Sequence, residues 1–462
     1  MPLTKRLNQG VEQVKLRRKV GIYSMKFSFK GGIHPLKEQH EGKIPSREQA
    51  IKEFVAEKVL IPMDMHIGAP SEPCVKKGDK VLLGQVIATP VGKFGIPVHA
   101  SVSGEVTGVV SFQQLGKKPS MCVEITSDGR DEWVELNPLG EVEAAPRERI
   151  IQQVKDAGIC GLGGACFPTH IKMSPADNQK VDIVILNGAE CETFLTADYR
   201  LMLEEPEHIV DGLRAIMRAM NVQKGIIAIE DNKKEAIRSM EQAVQGREGI
   251  RVVTLKTKYP QGGEKQLIES VTKRQVPSGG LPGDIGVAVF NVGTAAAIAD
   301  AVIYGKPLVS RITTVTGCVR APSNLRLRIG TSFQDAIDAA GGFSEEPGKV
   351  FAGGSMTGIA IPDTGVSVIK ANNGIVVLNQ KDAIKKPETS CIRCGRCIDA
   401  CPIKLSPQRL NVLVDQADLS GAKKQHVMDC IVCGSCSYVC PAKIELCAKF
   451  KEAKEKITAR RI

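Results

Sequence analysis

No stretch of this sequence is apolar enough to cross a membrane, which takes about 20 consecutive apolar residues. The best candidate, "IGVAVFNVGTAAAIADAVI" from Ile285, is interrupted by Asn291 and Asp300. It reads as a buried strand followed by a helix. The opening residues are not expected to act as a secretory leader either. The opening "MPLTKRLNQGVEQVKLRRKVG" is basic but has neither an apolar stretch nor a cleavage site. The expected setting is therefore reducing, which argues against reading the 15 cysteines as a disulfide framework. Zinc fingers, a helix-turn-helix and interleaved aromatic and basic residues are absent as well. A nucleic-acid partner is thus not expected, although the formal charge is +11.

What is present is a soluble globular composition, with 42% hydrophobic and 24% charged residues over 462 positions. That length is too great for one core and suggests roughly three domains. Eight of the cysteines fall into one motif written twice, 39 residues apart. "CIRCGRCIDACPIK" (Cys391 to Lys404) and "CIVCGSCSYVCPAK" (Cys430 to Lys443) both read C-x2-C-x2-C-x3-C-P. Three thiolates at this spacing can take three corners of a [4Fe–4S] cube from one loop, while the fourth cysteine serves the other cube. The expected sets are Cys391, Cys394, Cys397 and Cys440 for one cluster, and Cys430, Cys433, Cys436 and Cys401 for the second. In each motif the fourth cysteine is expected to start a helix that points away, with Pro402 and Pro441 turning the chain. Zinc would favour CxxC pairs with a long spacer, which this pattern does not match. The linker "LSPQRLNVLVDQADLSGAKKQHVMD" has apolar residues at helical spacing, so the module should be a helical ferredoxin. Eight thiolates and two oxidised cubes together bring about −4, lowering the loaded chain to about +7.

A second chemical signal is "CGLGGACFPTHIKM" (Cys160 to Met173). Upstream, Ile150, Ile151, Val154 and Ala157 form the apolar face of a helix that Gly158 should stop. Gly161, Gly163 and Gly164 would let backbone N–H groups approach an anion, helped by the start of a following helix. Lys172 supplies a positive charge and Phe167 a ring face. Spacing alone leaves a plain loop open. A Rossmann fingerprint is excluded, because a helix comes before the glycines and the strand "VDIVILNGAE" comes after them.

"GLGGACFPTHIK" (Gly161 to Lys172) closely resembles the G-x-G-G-A-x-F-P-T-x-x-K motif of the flavin subunit of respiratory complex I and its relatives. Three further stretches resemble the same family in order. They are "NGAECETFLTADYRLMLEEPEHIVDGL" from Asn187, "YPQGGEKQLIESV" from Tyr259 and "FNVGTAAAIADAV" from Phe290. The start "FSFKGGIHP" (Phe27 to Pro35) and the two-cluster end resemble the RnfC proteins of Rnf-type ion-translocating electron-transport complexes. The resemblance implies a non-covalently bound FMN and NAD(H) as substrate. It places Gly161, Gly163, Gly164 and Lys172 at the ribityl phosphate, and Asn187, Glu190, Asn291 and Thr294 along the flavin. Phe167 and Glu192 would lie on the nicotinamide side, with Gly263 and Glu264 shaping the shared pocket. Ala189 and Lys265 stand where the family has acidic residues.

The expected fold is multidomain, α/β and α+β. A basic extension occupies residues 1–26 and an N-terminal domain with a barrel-sandwich hybrid 27–138. A Rossmann-like FMN/NADH-binding domain follows at 139–308 and a β-grasp domain of the soluble-ligand-binding type at 309–384. A two-[4Fe–4S] ferredoxin domain with a basic C-terminal helix ends the chain at 385–462. The hybrid's tip, "VGKFGIP", lacks the surroundings of a modified carrier lysine, so Lys93 is expected to be unmodified and the tip to have a structural or docking role. The seven remaining cysteines are scattered singly and read as small buried hydrophobes.

A nicotinamide exchanges a hydride, a cube exchanges one electron, and a flavin does both, so it belongs between them. No acid–base dyad is required; Glu190 and Glu264 are the carboxylates expected near the flavin. The resemblance implies electron transfer between reduced ferredoxin and NAD+, coupled to Na+ or H+ transport. The implied partners are the other Rnf subunits, including integral membrane subunits and a ferredoxin-reacting iron–sulfur subunit. This chain would be peripheral, on the cytoplasmic side, touching the membrane through its partners. The alternatives are a diaphorase subunit of a soluble hydrogenase or formate dehydrogenase, and a non-catalytic electron-transfer scaffold.

Overall fold

The computed structural model describes residues 27–115, 118–176 and 179–460. The basic extension 1–26 lies outside the described residues. From Lys58 to Ser127 the chain alternates short strands with glycine and proline turns. Lys58–Pro62, Ser120–Ser127, Gly104–Phe112 and Lys80–Val81 form one antiparallel sheet, and Glu72–Pro73, Val86–Thr89 and Val98–His99 a second. Alternate residues such as Val59, Ile61, Val106, Val123 and Ile125 turn inward, giving the sandwich its dry interior.

The central unit is a four-stranded parallel sheet in the order Ile250–Leu255, Gly225–Glu230, Ile183–Gly188, Val287–Asn291. Gly225–Glu230 is buried along its whole length, as a strand covered on both faces must be. Helices Arg147–Asp156, Pro206–Met220 and Val292–Tyr304 cover one face. Glu264–Thr272 covers the other through Leu267, Ile268 and Val271. Gly212 lets two of these helices touch, since a Cβ there would run into the Ala295 backbone. From Ile183–Gly188 the chain steps outward twice, then returns to lay Val287–Asn291 on the opposite side. The crevice at the carboxyl ends of those two strands is the place where such sheets bind ligands.

The β-grasp sheet has six strands in the order Ile51–Phe54, Ser323–Arg328, Ser310–Gly317, Gly374–Asn379, Pro347–Ala352, Ile359–Ile361, with helix Phe333–Ala339 packed on it. Ile51–Phe54 lies in the segment assigned from sequence to the N-terminal domain, yet it pairs in parallel with Asn324–Leu327. Four residues with only partial burial carry no local sign of a partner so far along the chain.

The C-terminal module is helical, as its linker pattern predicts. Pro407–Asp415, Leu419–Lys424 and Leu446–Arg460 close around Leu410, Val427, Phe450, Ala453 and Ile457. One expectation is corrected. Cys401 and Cys440 do not start helices; Cys401 ends Arg396–Ala400 and Cys440 follows Ser435–Tyr438. The short helices begin earlier because Gly395 and Gly434, both at φ 78°, turn the chain between the second and third cysteines.

Residues 27–47 strap these units together. Phe27 pairs beside Leu255, Ile33 exchanges two backbone hydrogen bonds with Tyr259, and the Gly32 N–H donates to Ala400 O at 3.0 Å. Gly31, at φ 81°, passes so close to Cys401 O that no Cβ could fit.

Candidate flavin and iron–sulfur sites

The sequence repeat at the C-terminus is also a conformational repeat. Arg393 and Val432 have φ 55° and 54°, and Lys404 and Lys443 have φ 61° and 57°. These matched left-handed residues curl each loop around a hollow. One hollow is lined by Cys391, Cys394, Cys397 and Cys440, the other by Cys401, Cys430, Cys433 and Cys436. Each hollow thus brings three cysteines of one motif together with the fourth cysteine of the other. Backbone N–H groups of Arg393 and Leu405 donate to Cys391 Sγ and Cys401 Sγ at 3.4 and 3.3 Å. The residues present fit two [4Fe–4S] clusters. Cys447 also lines the second hollow. The sequence reading left it among the scattered cysteines, and its only signal was its position on the helix next to the second motif.

The two hollows differ in surroundings. The Cys401–Cys436 set is internal: the Tyr259 hydroxyl donates to Cys433 O at 2.7 Å, and Cys191, Met356 and Cys433 pack against Ile33, Tyr259 and Ala400. The other set faces outward, with Cys391 and Cys394 exposed and Ile392 68% exposed between them.

At the sheet's carboxyl edge, Asn187 and Asn291 stand opposite each other in register. Asn291 Oδ1 accepts from Gly293 N at 2.8 Å, capping the helix Val292–Tyr304, and its Nδ2 donates to Asp198. Asn187 Nδ2 donates to Gly262 O at 2.8 Å. The glycine loop is tied to this helix start: Leu162 N donates to Thr294 Oγ1 at 2.9 Å, and the buried Arg311 donates to Leu162 O. A Cβ on Gly163 would lie 2.9 Å from Asn291 Cβ, whereas one on Gly164 would meet nothing within 4 Å. Gly161 likewise has only the backbone of Phe167 nearby. The loop therefore packs closely on one side and leaves bare backbone open on the other, which fits a flavin phosphate. The segment after the loop makes only one turn, Thr169–Lys172, and the thirteen-residue helix Val292–Tyr304 supplies the nearby N-terminus.

Lys172 Nζ donates to Val289 O at 2.6 Å and to Glu264 Oε1 at 3.0 Å. Glu264 opens the helix that Gly263 caps. Glu190, at φ 44°, accepts from Asp198 N and Tyr199 N and so caps Ala197–Glu204. Burial pushes the Glu190 carboxyl up to about 7, with Lys43 opposing and Asp198 reinforcing the rise. A raised carboxyl binds more protons in the folded chain than in the unfolded one. Its contribution to stability is full below pH 4.5, the unfolded value, and is lost as pH rises through about 7. Glu190→Gln should therefore flatten the fall in Tm across that window, as thermal unfolding at stepped pH would show. An unchanged slope would count against this environment.

The two residues expected on the nucleotide side are held by neighbouring domains. Phe167 meets Phe94, at the tip of the hybrid hairpin, edge to face with centroids 5.9 Å apart. That contact packs the tip against the glycine-rich loop, and the adjacent Lys93 is exposed. Glu192 accepts from Met356 N at 2.6 Å and Thr357 Oγ1 at 2.8 Å in the β-grasp domain. The sequence reading missed Lys43 and Lys233, two buried lysines behind the Ala189–Leu195 turn. No motif surrounds either of them.

Four family models match the chain in order. Residues 27–130 match the RnfC barrel sandwich hybrid domain, 154–300 the Nuo51 FMN-binding domain, 312–360 the SLBB domain and 383–448 the 4Fe-4S dicluster domain. The chain is 45% identical to the C component of the Na(+)-translocating ferredoxin:NAD(+) oxidoreductase complex of Acetobacterium woodii, covering 94% of this chain and 98% of that one. It is 44% identical to the C component of the proton-translocating ferredoxin:NAD(+) oxidoreductase complex of Clostridium ljungdahlii, over 86% and 87% of the two chains. Among solved structures, an NAD+-reducing [NiFe]-hydrogenase is similar at 19% identity and a TM-score of 0.49, covering 70% of this chain and 63% of that one. The domains and relatives define an iron–sulfur flavoprotein of electron transport. The chain belongs to the RnfC family, a component of Rnf-type ion-translocating ferredoxin:NAD(+) oxidoreductase complexes.

Proposed function

We propose that this chain is the NAD(H)-reacting subunit of such a complex, linking the nicotinamide to partner subunits through FMN and two [4Fe–4S] clusters. A flavin supplies the exchange between a two-electron hydride and single electrons. The chain's own residues supply the placement. Gly161, Gly163, Gly164 and Lys172 would hold the phosphate, and Asn187, Glu190, Asn291 and Thr294 would line the ring. Gly263 and Glu264 would close the pocket, with Phe167 and Glu192 on the nucleotide side. The observation that carries the reading is spatial order. The internal thiol set adjoins the flavin-binding unit through Tyr259 and Gln266, and the other set faces outward. The internal set is then the one facing the nicotinamide chemistry, and the outer set the one facing a partner.

Among the described residues no helix is long and apolar enough to cross a membrane. Ion transport, coupled in either direction to ferredoxin and NAD+, would thus belong to membrane partners, with this subunit peripheral on the cytoplasmic face. The flavin is held by backbone and charge, so acid precipitation of the purified chain should release free FMN into the supernatant. Flavin retained in the pellet would contradict non-covalent binding. NADH oxidation with an artificial acceptor by the FMN-loaded chain tests the activity, and flavin-loaded protein inert to NADH would sink it.

A further inference from the structure

We infer that Lys43 is a positioning residue for the NADH reaction, holding the Glu190–Leu195 turn in shape from behind. Its Nζ donates to Glu190 O at 2.8 Å, Glu192 O at 2.8 Å and Leu195 O at 2.6 Å. An ammonium has three protons, and here three main-chain oxygens use them all. The residue is only 6% exposed. Burying an ammonium is costly unless its hydrogen bonds are met, and these are met by one short stretch of backbone. Lys43 therefore acts as a template for that backbone rather than as half of a surface ion pair.

The turn needs such a template. Glu190 and Phe194 sit at φ 44° and 70°, in the left-handed region that side chains disfavour. A second buried ammonium, Lys233, donates to Ala189 O at 2.7 Å, with Glu230 as its counter-ion. The turn also carries two acidic side chains that anchor in opposite directions. Glu190 caps Ala197–Glu204, and Glu192 reaches Met356 and Thr357. A shift of the backbone between them would displace both.

Lys43 is itself fixed by the strap. Glu41 O accepts from Phe194 N at 2.8 Å, and Asn232 Nδ2 donates to the Glu41 carboxylate. Gly42, at φ 73°, packs against the Phe194 ring, where a Cβ would come within 2.7 Å of ring carbons. On the far side Ser46 Oγ accepts from Thr196 Oγ1, and the Arg47 guanidinium lies over the Tyr199 ring. The strap thus meets the turn on both sides of Lys43, although it precedes the flavin-binding unit in the chain.

This inference rests on the proposed NADH activity, and the test keeps the two apart. The full chain, loaded with clusters and FMN, is compared with Lys43→Met, Lys43→Arg, Gly42→Ala and the exposed control Lys37→Met. Hydrogen exchange of the 189–196 amides and NADH kinetics with ferricyanide are measured on each. Lys43→Met should speed exchange in the turn and raise the NADH KM about ten-fold or more, with a smaller loss in kcat. Lys43→Arg should recover part of the loss, and Lys37→Met should match wild type. Gly42→Ala keeps the charge but displaces it, so a milder version of the same KM defect is expected. That variant decides the matter if Lys43→Met does not fold. Faster exchange with an unchanged KM would reduce Lys43 to a structural residue, and no change in either measurement would overturn the inference outright. Wild-type protein that holds flavin but ignores NADH would instead refute the functional reading.

Discussion

Cys401→Ala should abolish the cluster of the distant 430–436 loop and spare the one bound by its own loop. Cys401 shares its hollow with Cys430, Cys433 and Cys436, while Cys391, Cys394 and Cys397 share theirs with Cys440. Total iron should fall from about eight atoms per chain to about four. Cys440→Ala should do the reverse, costing the outward-facing cluster. The two variants should therefore give complementary EPR spectra, each retaining the signal that the other lacks. The internal position of the first site adds a second expectation. Cys401→Ala should sever NADH oxidation from reduction of the outer cluster while leaving NADH oxidation by a small artificial acceptor in place. Loss of the 391–397 signal in Cys401→Ala would show that the fourth ligands are not exchanged.

Lys172→Met should empty the flavin site without unfolding the protein. In the ligand-free chain the Lys172 ammonium is shared between Val289 O and Glu264, and its side chain is one-third exposed. An ion pair that accessible contributes only about 0–1 kcal/mol to stability. A hydrogen bond to a charged phosphate is worth about 1.5–3 kcal/mol, so FMN affinity should weaken by about 10- to 150-fold. As isolated, the variant should carry little flavin, keep its iron and unfold within a few degrees of wild type. Excess FMN should restore NADH oxidation. Full flavin occupancy in Lys172→Met would remove this lysine from the phosphate site.

These two predictions differ in how much of their basis the sequence alone reveals. Cluster ligation is local chemistry repeated at fixed spacing, so both thiol sets can be read from Cys391 to Cys440 by counting. The residues proposed for the flavin site are legible only through resemblance, because Asn187 and Asn291 meet by strand register and not by spacing. The glycine loop shows the limit of local reading. Its bare glycine backbone is visible, but the helix start beside it belongs to Val292–Tyr304, far along the chain. The same limit hides Ile51–Phe54 in the β-grasp sheet and Lys43 behind the Glu190–Leu195 turn. Each depends on a partner that no window of sequence contains. The mistaken helix start at Cys401 has a different cause: glycines at 395 and 434 turn the chain earlier than the motif spacing suggests.

The central claim is that one chain joins nicotinamide chemistry to two clusters through a flavin. Its most direct test is an anaerobic NADH titration of the purified chain, followed by optical and EPR spectroscopy with flavin and iron quantified. About one FMN and eight iron atoms per chain are expected. NADH should bleach the flavin absorbance and then bring up the signals of reduced [4Fe–4S] clusters. A chain with its full complement of iron and FMN whose flavin and clusters both stay oxidised under excess NADH would contradict the account.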